Sequence, residues 1–227
     1  MKNKTLWKQV GAAAIAAAMV MSTVPATPVQ AAGGKTLAVS SQKQLNQALK
    51  TVKGKNAVIT VKAGKNVKIT IPKGTYKVTI RVVGKKAAVV NNGTVKEIVV
   101  NSKGTVAIKN NGTIKKVTVQ NAKSVSFSGN HKKAVPVVVN AEDVSMILAA
   151  PAKITAKKDV NIVLKKGAEK SSITCTKNAQ AQVDNQTKKA ISVKIADGTT
   201  LKVESGESCT ITPKGKKEDT SGEDKTD

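Results

Sequence analysis

Lysine is the residue type whose number and spacing most directly suggest chemistry in this chain. The 227 residues include 39 Lys and Arg against 14 Asp and Glu, a formal net charge of +25, and all of these cations except Arg81 are lysines. Residues 32–96 hold fourteen of them and no acidic residue. Folded surfaces normally mix both signs, because a region of one sign repels itself. The imbalance predicts a surface that binds a polyanion.

Two pairs of lysines are separated by nearly the same number of residues. Lys96 and Lys115 are 19 residues apart, and Lys103 and Lys123 are 20 apart. In stacked coils of that length such lysines are neighbours about 5 Å apart. Rows of like charge this close destabilise a protein unless an anion lies along them. The predicted polyanion-binding residues are Lys77, Arg81, Lys85, Lys86, Lys96, Lys103, Lys115, Lys116 and Lys123.

The chemistry of the lysine side chain indicates pooled attraction rather than selective recognition. An ammonium group is a point charge without the two-pronged geometry of arginine. Affinity then comes from counterion release and falls with salt. We expect an anionic polysaccharide, a teichoic acid or other cell-wall polymer, or a sulfated glycan as partner, with nucleic acid bound only non-specifically. The alternative is a structural or adhesive surface module in which lysine only keeps outward strand faces soluble.

Aromatic side chains are nearly absent, since Trp7, Tyr76 and Phe127 are the only ones. Lectins that stack sugars on aromatic rings are therefore excluded. Proteins that bind single-stranded nucleic acid, and RNA-recognition domains, need such rings for the bases and are excluded as well.

Groups that could catalyse a reaction or bind a metal are few and scattered. Before the C-terminal tail only Glu142 and Asp143 are adjacent carboxylates, and neighbours on a strand point to opposite faces. His131, the only histidine, is predicted to be an exposed corner residue without a catalytic motif around it. We therefore expect no catalytic residue, metal or cofactor, and a protein that is not an enzyme.

Cys175 and Cys209 are the only cysteines. An even number in an exported protein favours a disulfide. On regular coils the two would be about 10 Å apart, beyond the ~7 Å that a bridge can span. A hairpin that folds back would let them meet, so the pairing stays open.

A repeat of 19 to 20 residues runs through the chain. Asn-Asn-Gly-Thr-Val at 91–95 recurs as Asn-Asn-Gly-Thr-Ile at 110–114. Between the repeats, segments rich in Val, Ile and Thr alternate inward and outward residues every 9–10 positions. An antiparallel sandwich has similar strands, but only a parallel β-helix requires residue i to match residue i+19. Asparagine suits the corners, where its amide can bond to the coils above and below. Two series of asparagines are spaced by 19 to 20 residues. The first is Asn92, Asn111 and Asn130, and the second is Asn101, Asn121 and Asn140.

The fold class predicted is therefore all-β, a right-handed parallel β-helix of about 19–20 residues per coil, its hand following the usual crossover rule. Both ends carry capping signals. Ser41-Gln42-Lys43-Gln44 reads as a capping box, and Leu45 and Leu49 would cover the first coil from a short helix. Asp197-Gly198 between alternating runs predicts an antiparallel cap over 190–212.

This arrangement, a capping helix followed by Val/Ile coils with Asn corners, resembles the right-handed parallel β-helix of the pectin-lyase-like superfamily. The resemblance covers about residues 36–180. It implies polysaccharide lyase or hydrolase activity, which uses clustered carboxylates to hold Ca²⁺ or two or three close Asp. No such cluster is visible, so a lyase-like enzyme with lysine as base is the alternative to a binding protein.

The first residues predict export. A basic start is followed by an apolar run from Val10 to Val20 and by Val29-Gln30-Ala31, which is typical of a secretory signal peptide. The run is about half the ~20 residues that span a bilayer, and no later segment is long enough. We expect a secreted bacterial protein held at the cell wall by charge. Its parts would be a signal peptide (1–31), the capping helix plus β-helix (32–189), the cap (190–212) and a disordered tail (213–227).

Overall fold

The computed structural model describes residues 35–62, 67–213 and 217–219. This part of the chain is a parallel β-solenoid of about 8 turns with one short helix, which confirms the predicted fold class. The predicted signal peptide lies outside the described residues. No helix in the described ranges has the length and hydropathy needed to cross a membrane. The hand of the coil stays a prediction.

Two sheets run the length of the solenoid. The first sheet pairs its strands in the order β1-β2-β4-β6-β9-β11-β13-β15-β17-β18, with β8 beside β6. These strands are β1 Lys35–Val39, β2 Ala57–Val61, β4 Thr75–Val82, β6 Thr94–Asn101, β8 Thr113–Ile114, β9 Val117–Asn121, β11 Val135–Val139, β13 Ala152–Ala156, β15 Ser172–Cys175, β17 Ile191–Lys194 and β18 Thr200–Val203.

The second sheet has the order β20-β19-β16-β14-β12-β10-β7-β5-β3. Its strands are β3 Val67–Ile71, β5 Lys86–Asn91, β7 Thr105–Asn110, β10 Ser124–Gly129, β12 Val144–Ala149, β14 Val160–Leu164, β16 Ala181–Asn185, β19 Ser208–Ile211 and β20 Lys217–Asp219. Pairing within both sheets is parallel as far as β16 and β17.

The core lies between the two sheets. Because side chains alternate along a strand, like residues of successive coils form rows that point inward. Ile59, Ile80 and Ile98 form one such row in register, and each is fully buried. Phe127, the largest fully buried side chain, lies between Ile108 and Leu148 in the second sheet. The alternation predicted from the sequence is thus confirmed as the packing pattern.

Coil length varies more than the repeat predicts. Lys86 pairs with Thr105, a step of 19, whereas Val135 pairs with Ala152, a step of 17. Val144 pairs with Val160, a step of 16. The strands stay in register because the turns between the sheets absorb the difference, being free to change length at the surface.

The N-terminal end is closed by α1, Gln42–Thr51. The hydroxyl of its N-cap, Ser41, accepts a hydrogen bond from the Gln44 backbone at 3.3 Å, and Leu45 and Leu49 are buried as predicted. The Gln42 side-chain amide accepts from the Thr70 N–H at 2.6 Å and donates to the Thr70 carbonyl at 2.8 Å. The helix therefore satisfies the edge of β3, which discourages pairing with another chain. The strand β1, before the helix, was not predicted.

The C-terminal end is closed by antiparallel strands, as predicted for 190–212. The hairpin of β17 and β18 turns at Asp197-Gly198, and β19 crosses to the second sheet to pair antiparallel with β16. Lys217–Asp219 form β20 against the free edge of β19, and the predicted disordered tail over 213–227 stays a prediction. Unpaired backbone groups at that edge give these polar residues partners.

Candidate functional site

The turns that join the two sheets lie along opposite edges of the solenoid. The forward edge carries the chain from the first sheet to the second, at residues 83–85, 102–104, 122–123, 140–143, 157–159 and 176–180. The return edge carries it back, at residues 72–74, 92–93, 111–112, 130–134, 150–151, 165–171 and 186–190. More of the exposed lysines lie on these two edges than within the strands of the two sheets.

Three predicted lysines stack just past the return turns, within β4 and β6 and between β8 and β9, and are counted with the return edge. Val95 pairs with Ile114, so Lys96 and Lys115 occupy one position on consecutive coils, and Lys77 lies beside Lys96 where a β-bulge after Tyr76 shifts the register of β4. The Lys115 N–H donates to the Val95 carbonyl at 3.1 Å. All three side chains are exposed. Strand stacking at about 4.8 Å per coil makes them a row of like charge, as the 19-residue interval predicts.

Lys116 lies beside this row but faces a carboxylate. Its Nζ is 3.6 Å from Oε1 of Glu97, and the Thr118 hydroxyl donates to the same oxygen at 2.6 Å. Because the lysine side chain is half-exposed, this pair is screened by water and adds little to stability. Lys116 therefore contributes less to the cationic edge than its neighbours.

The return edge continues as a cationic strip well beyond the predicted residues. Its described acidic residues are Glu97, which faces Lys116, and Glu169, whose pKa is lowered by hydrogen bonds from the Gly167 N–H at 3.1 and 3.0 Å. Near β16 the strip meets the turn that carries Glu204 and Glu207. Sequence spacing missed the later members because the turns change length. The twelve exposed lysines of the strip are Lys73, Lys77, Lys96, Lys115, Lys116, Lys132, Lys133, Lys165, Lys166, Lys170, Lys188 and Lys189.

The other predicted lysines lie on the forward edge. Thr105 N–H donates to the Lys85 carbonyl and Lys123 N–H to the Gly104 carbonyl, both at 2.9 Å, which places Lys85, Lys103 and Lys123 on three consecutive coils. Lys86 begins β5 beside them. The predicted set is thus not one surface: the structure divides it between two opposite edges.

Arg81 belongs to neither row. It lies on the outer face of the first sheet between Thr60 and Val99, and it is half-buried. Within the described residues its Nε has no hydrogen-bond partner. Its predicted role beside the lysines is not supported by this position.

Past Lys123 the forward edge becomes mixed in charge. Glu142, Asp143 and Asp159 line one hollow of about 210 Å³ together with Lys158. Lys158 Nζ donates to Glu142 at 2.7 Å, which lowers the pKa of Glu142 and raises that of Lys158. The sequence treated these carboxylates as scattered because it placed 142–143 on a strand, whereas they form a turn with Asp143 at φ 53°. No group of three His, Cys, Asp or Glu in the described ranges could hold a metal ion.

The two cysteines are buried and are not joined by a disulfide. Cys175 lies in β15 of the first sheet and Cys209 in β19 of the second. The hairpin that was to bring them together turns at 195–199 and pairs within the first sheet, whereas Cys209 follows it and crosses to the other sheet. The bridge left open by the sequence is therefore not formed in this fold.

Cys175 is expected to resist alkylation in the native protein. Burial raises the pKa of its thiol to about 11, so little of the reactive thiolate exists near neutral pH. At about pH 8, iodoacetamide should modify it at least ~100-fold more slowly in the native than in the unfolded protein, as read by peptide mass, with the native rate rising as the pH approaches the pKa. Fast native alkylation would contradict the buried site, and an intact mass lower by two hydrogens would reveal a disulfide.

No protein family model, curated protein or solved structure matches this chain. The β-solenoid is therefore identified by its strand pairing alone. The features available for a functional argument are the two edges, their charges and the hollows beside them.

Proposed function

We propose that this β-solenoid is a secreted, non-catalytic cell-surface protein that binds an extended anionic polymer along the return edge. The observation that carries the proposal is the strip of twelve exposed lysines, which in the described residues includes two carboxylates, Glu97 and Glu169. The forward edge is a poorer candidate, because its second half carries Glu142, Asp143 and Asp159.

The sheet faces support this choice by contrast. In the middle of the second sheet the central outward row is uncharged, between Lys68 at one end and Asp184 at the other; its members are Ala88, Ala107, Ser126, Ile147 and Val163. The lysines of the return edge are therefore set apart from the middle of the sheet face beside them. A line of point charges about 4.8 Å apart suits a chain of repeated anionic groups better than a compact ligand.

When many lysines attract the polymer together, polymers with more negative charge per unit length bind more tightly. Acidic polysaccharides, teichoic acids and sulfated glycans all qualify, since lysine imposes no fixed geometry on its anion. Membership of the pectin-lyase-like superfamily, which the coil pattern resembles, would favour an acidic polysaccharide. The cell wall of the producing bacterium is the simplest source of an acidic polysaccharide or a teichoic acid.

The test replaces three stacked lysines, Lys77, Lys96 and Lys115, by glutamine and measures binding to heparin and polygalacturonate over a salt series. Loss of three contacts should reduce the slope of log K against log salt by about 2–3, since each contact adds roughly 0.7–0.9 to the slope. Affinity at about 50 mM salt should fall at least ~10-fold. Loss at low salt with little change at high salt is the signature of counterion release.

The matched control replaces Lys43, Lys53 and Lys55 by glutamine. These exposed lysines lie in and just after α1, so the net charge changes equally but the return edge stays intact. We expect the control to keep nearly all of the affinity. Equal loss in both variants would mean that only net charge matters, and binding that ignores salt would favour a structural or adhesive module instead.

A further inference from the structure

A short ladder of buried asparagines lies inside the return edge. Asn91 and Asn110 end β5 and β7, and both are fully buried. The Asn91 Nδ2 donates to Asn110 Oδ1 at 2.8 Å and to the Gly93 carbonyl at 2.9 Å. A buried amide needs such partners, because an unmet donor loses its bonds to water without replacement.

The ladder stops at the next coil. Asn110 is in register with Gly129, which has no side chain to accept the next bond. Within the described residues Asn110 Nδ2 is buried and has no hydrogen-bond partner. Orphaned buried donors are rare in folded proteins, and each calls for a partner such as a bound group or water.

The same coil opens a hollow at this position. The turns 92–93 and 111–112 have two residues, but the turn 130–134 has five. The longer turn leaves a space of about 310 Å³, lined by Asn110, Gly112, Thr113, Ile114, His131, Lys132, Lys133, Ala134 and Val135. Asn110, whose buried amide donor is unpartnered, thus lines the same space as two exposed lysines.

His131 holds the wall of this hollow in place. Its Nδ1 is 3.2 Å from the Asn110 carbonyl oxygen and its Nε2 is 3.0 Å from the Pro151 carbonyl oxygen. The ring also meets Phe127 edge-on, with centroids 5.2 Å apart. It is half-buried, not the exposed corner residue that the sequence predicted. By bridging two coils it fixes the turn that carries Lys132 and Lys133.

We infer that this hollow binds one oxyanion group, a carboxylate, sulfate or phosphate, of the polymer that lies along the return edge. The inference rests on the proposed function for its ligand, but on different residues. Lys132 and Lys133 supply charge, and the Asn110 amide supplies a directed donor, which bare lysine rows lack. The hollow would therefore add register and selectivity to an otherwise pooled attraction.

The test follows the Asn110 side-chain amide by NMR in ¹⁵N-labelled protein, during separate titrations with inorganic phosphate, sulfate and acetate. Binding in the hollow predicts a saturable shift of this amide, and the anion with the lowest Kd names the group. Asn110→Asp keeps an oxygen to accept from Asn91 but replaces the donor by negative charge. It should raise the Kd at least ~10-fold.

The matched control is Asn130→Asp, an equal change of charge at an exposed residue that does not line the hollow. It should raise the Kd clearly less than Asn110→Asp does, because its added charge is exposed to water and it removes no buried donor. If Asn110→Asp does not fold, the pair Lys132→Gln and Lys133→Gln decides, compared with Lys165→Gln and Lys166→Gln on the same edge.

Shifts that stay linear with concentration, or equal losses in target and control variants, would overturn the oxyanion site. They would leave the polymer proposal standing, since that depends on Lys77, Lys96 and Lys115. Conversely, saturable phosphate binding without any polymer retention would keep the site and refute the proposed function.

Discussion

Replacing Gly104 by alanine is expected to cost about 3 kcal/mol of unfolding free energy. A Cβ built on Gly104 would lie 1.8 Å from the Lys85 carbonyl oxygen of the preceding coil. That neighbour is backbone, so the clash cannot be relieved by turning a side chain. The coils would have to separate, and the Thr105 N–H would lose its 2.9 Å bond to the same carbonyl.

Denaturant unfolding of Gly104→Ala beside Gly198→Ala measures this effect. Gly198 has φ 91° and no atom within 4 Å of its built Cβ, so alanine there meets backbone strain but no neighbour. We expect a cost of about 1 kcal/mol for the control. Equal costs for the two variants would contradict the close stacking of coils at the forward edge.

The solenoid was predictable because its core repeats residue by residue. Ile59, Ile80 and Ile98 have similar neighbours in the coils above and below them. Each coil therefore needs Val or Ile at the same position, and the sequence repeats at an interval that can be found by counting residues. The corner asparagines follow the same logic: Asn111 Nδ2 donates to Asn92 Oδ1 at 3.0 Å, as the ladder argument expects. The capping helix was predictable because its hydrogen bonds are local.

The edges were harder to predict, because turns obey no common length. Lys132 and Lys133 sit in a five-residue turn, so counting by 19 passes over them. The buried member of each Asn-Asn pair, Asn91 or Asn110, cannot be told from its exposed neighbour without knowing where the strand ends. The bridge made by His131 joins carbonyls 20 and 21 residues away, which no local pattern reports.

Salt is expected to stabilise the free protein but to weaken the stabilisation that a bound polyanion provides. Without ligand, added salt should raise the melting temperature, because it screens repulsion between stacked lysines such as Lys96 and Lys115. A polyanion at about 100 times its Kd should add about 2.7 kcal/mol at low salt, since it binds the folded chain. Raising salt should then remove that gain, because the affinity itself falls.

Thermal melts between about 50 mM and 200 mM salt, with and without heparin, test this crossing, since a site of 6–10 phosphate-like contacts loses about 10³–10⁵ in affinity over that range. The difference between the two curves should shrink towards zero as salt rises. In the glutamine variant of Lys77, Lys96 and Lys115, the unliganded protein should be more stable at low salt and the heparin gain smaller. Both changes are expected together only if the coils hold the lysines close and the bound polyanion removes their repulsion. Lysines that merely keep the surface soluble would leave the melting curves with and without heparin parallel.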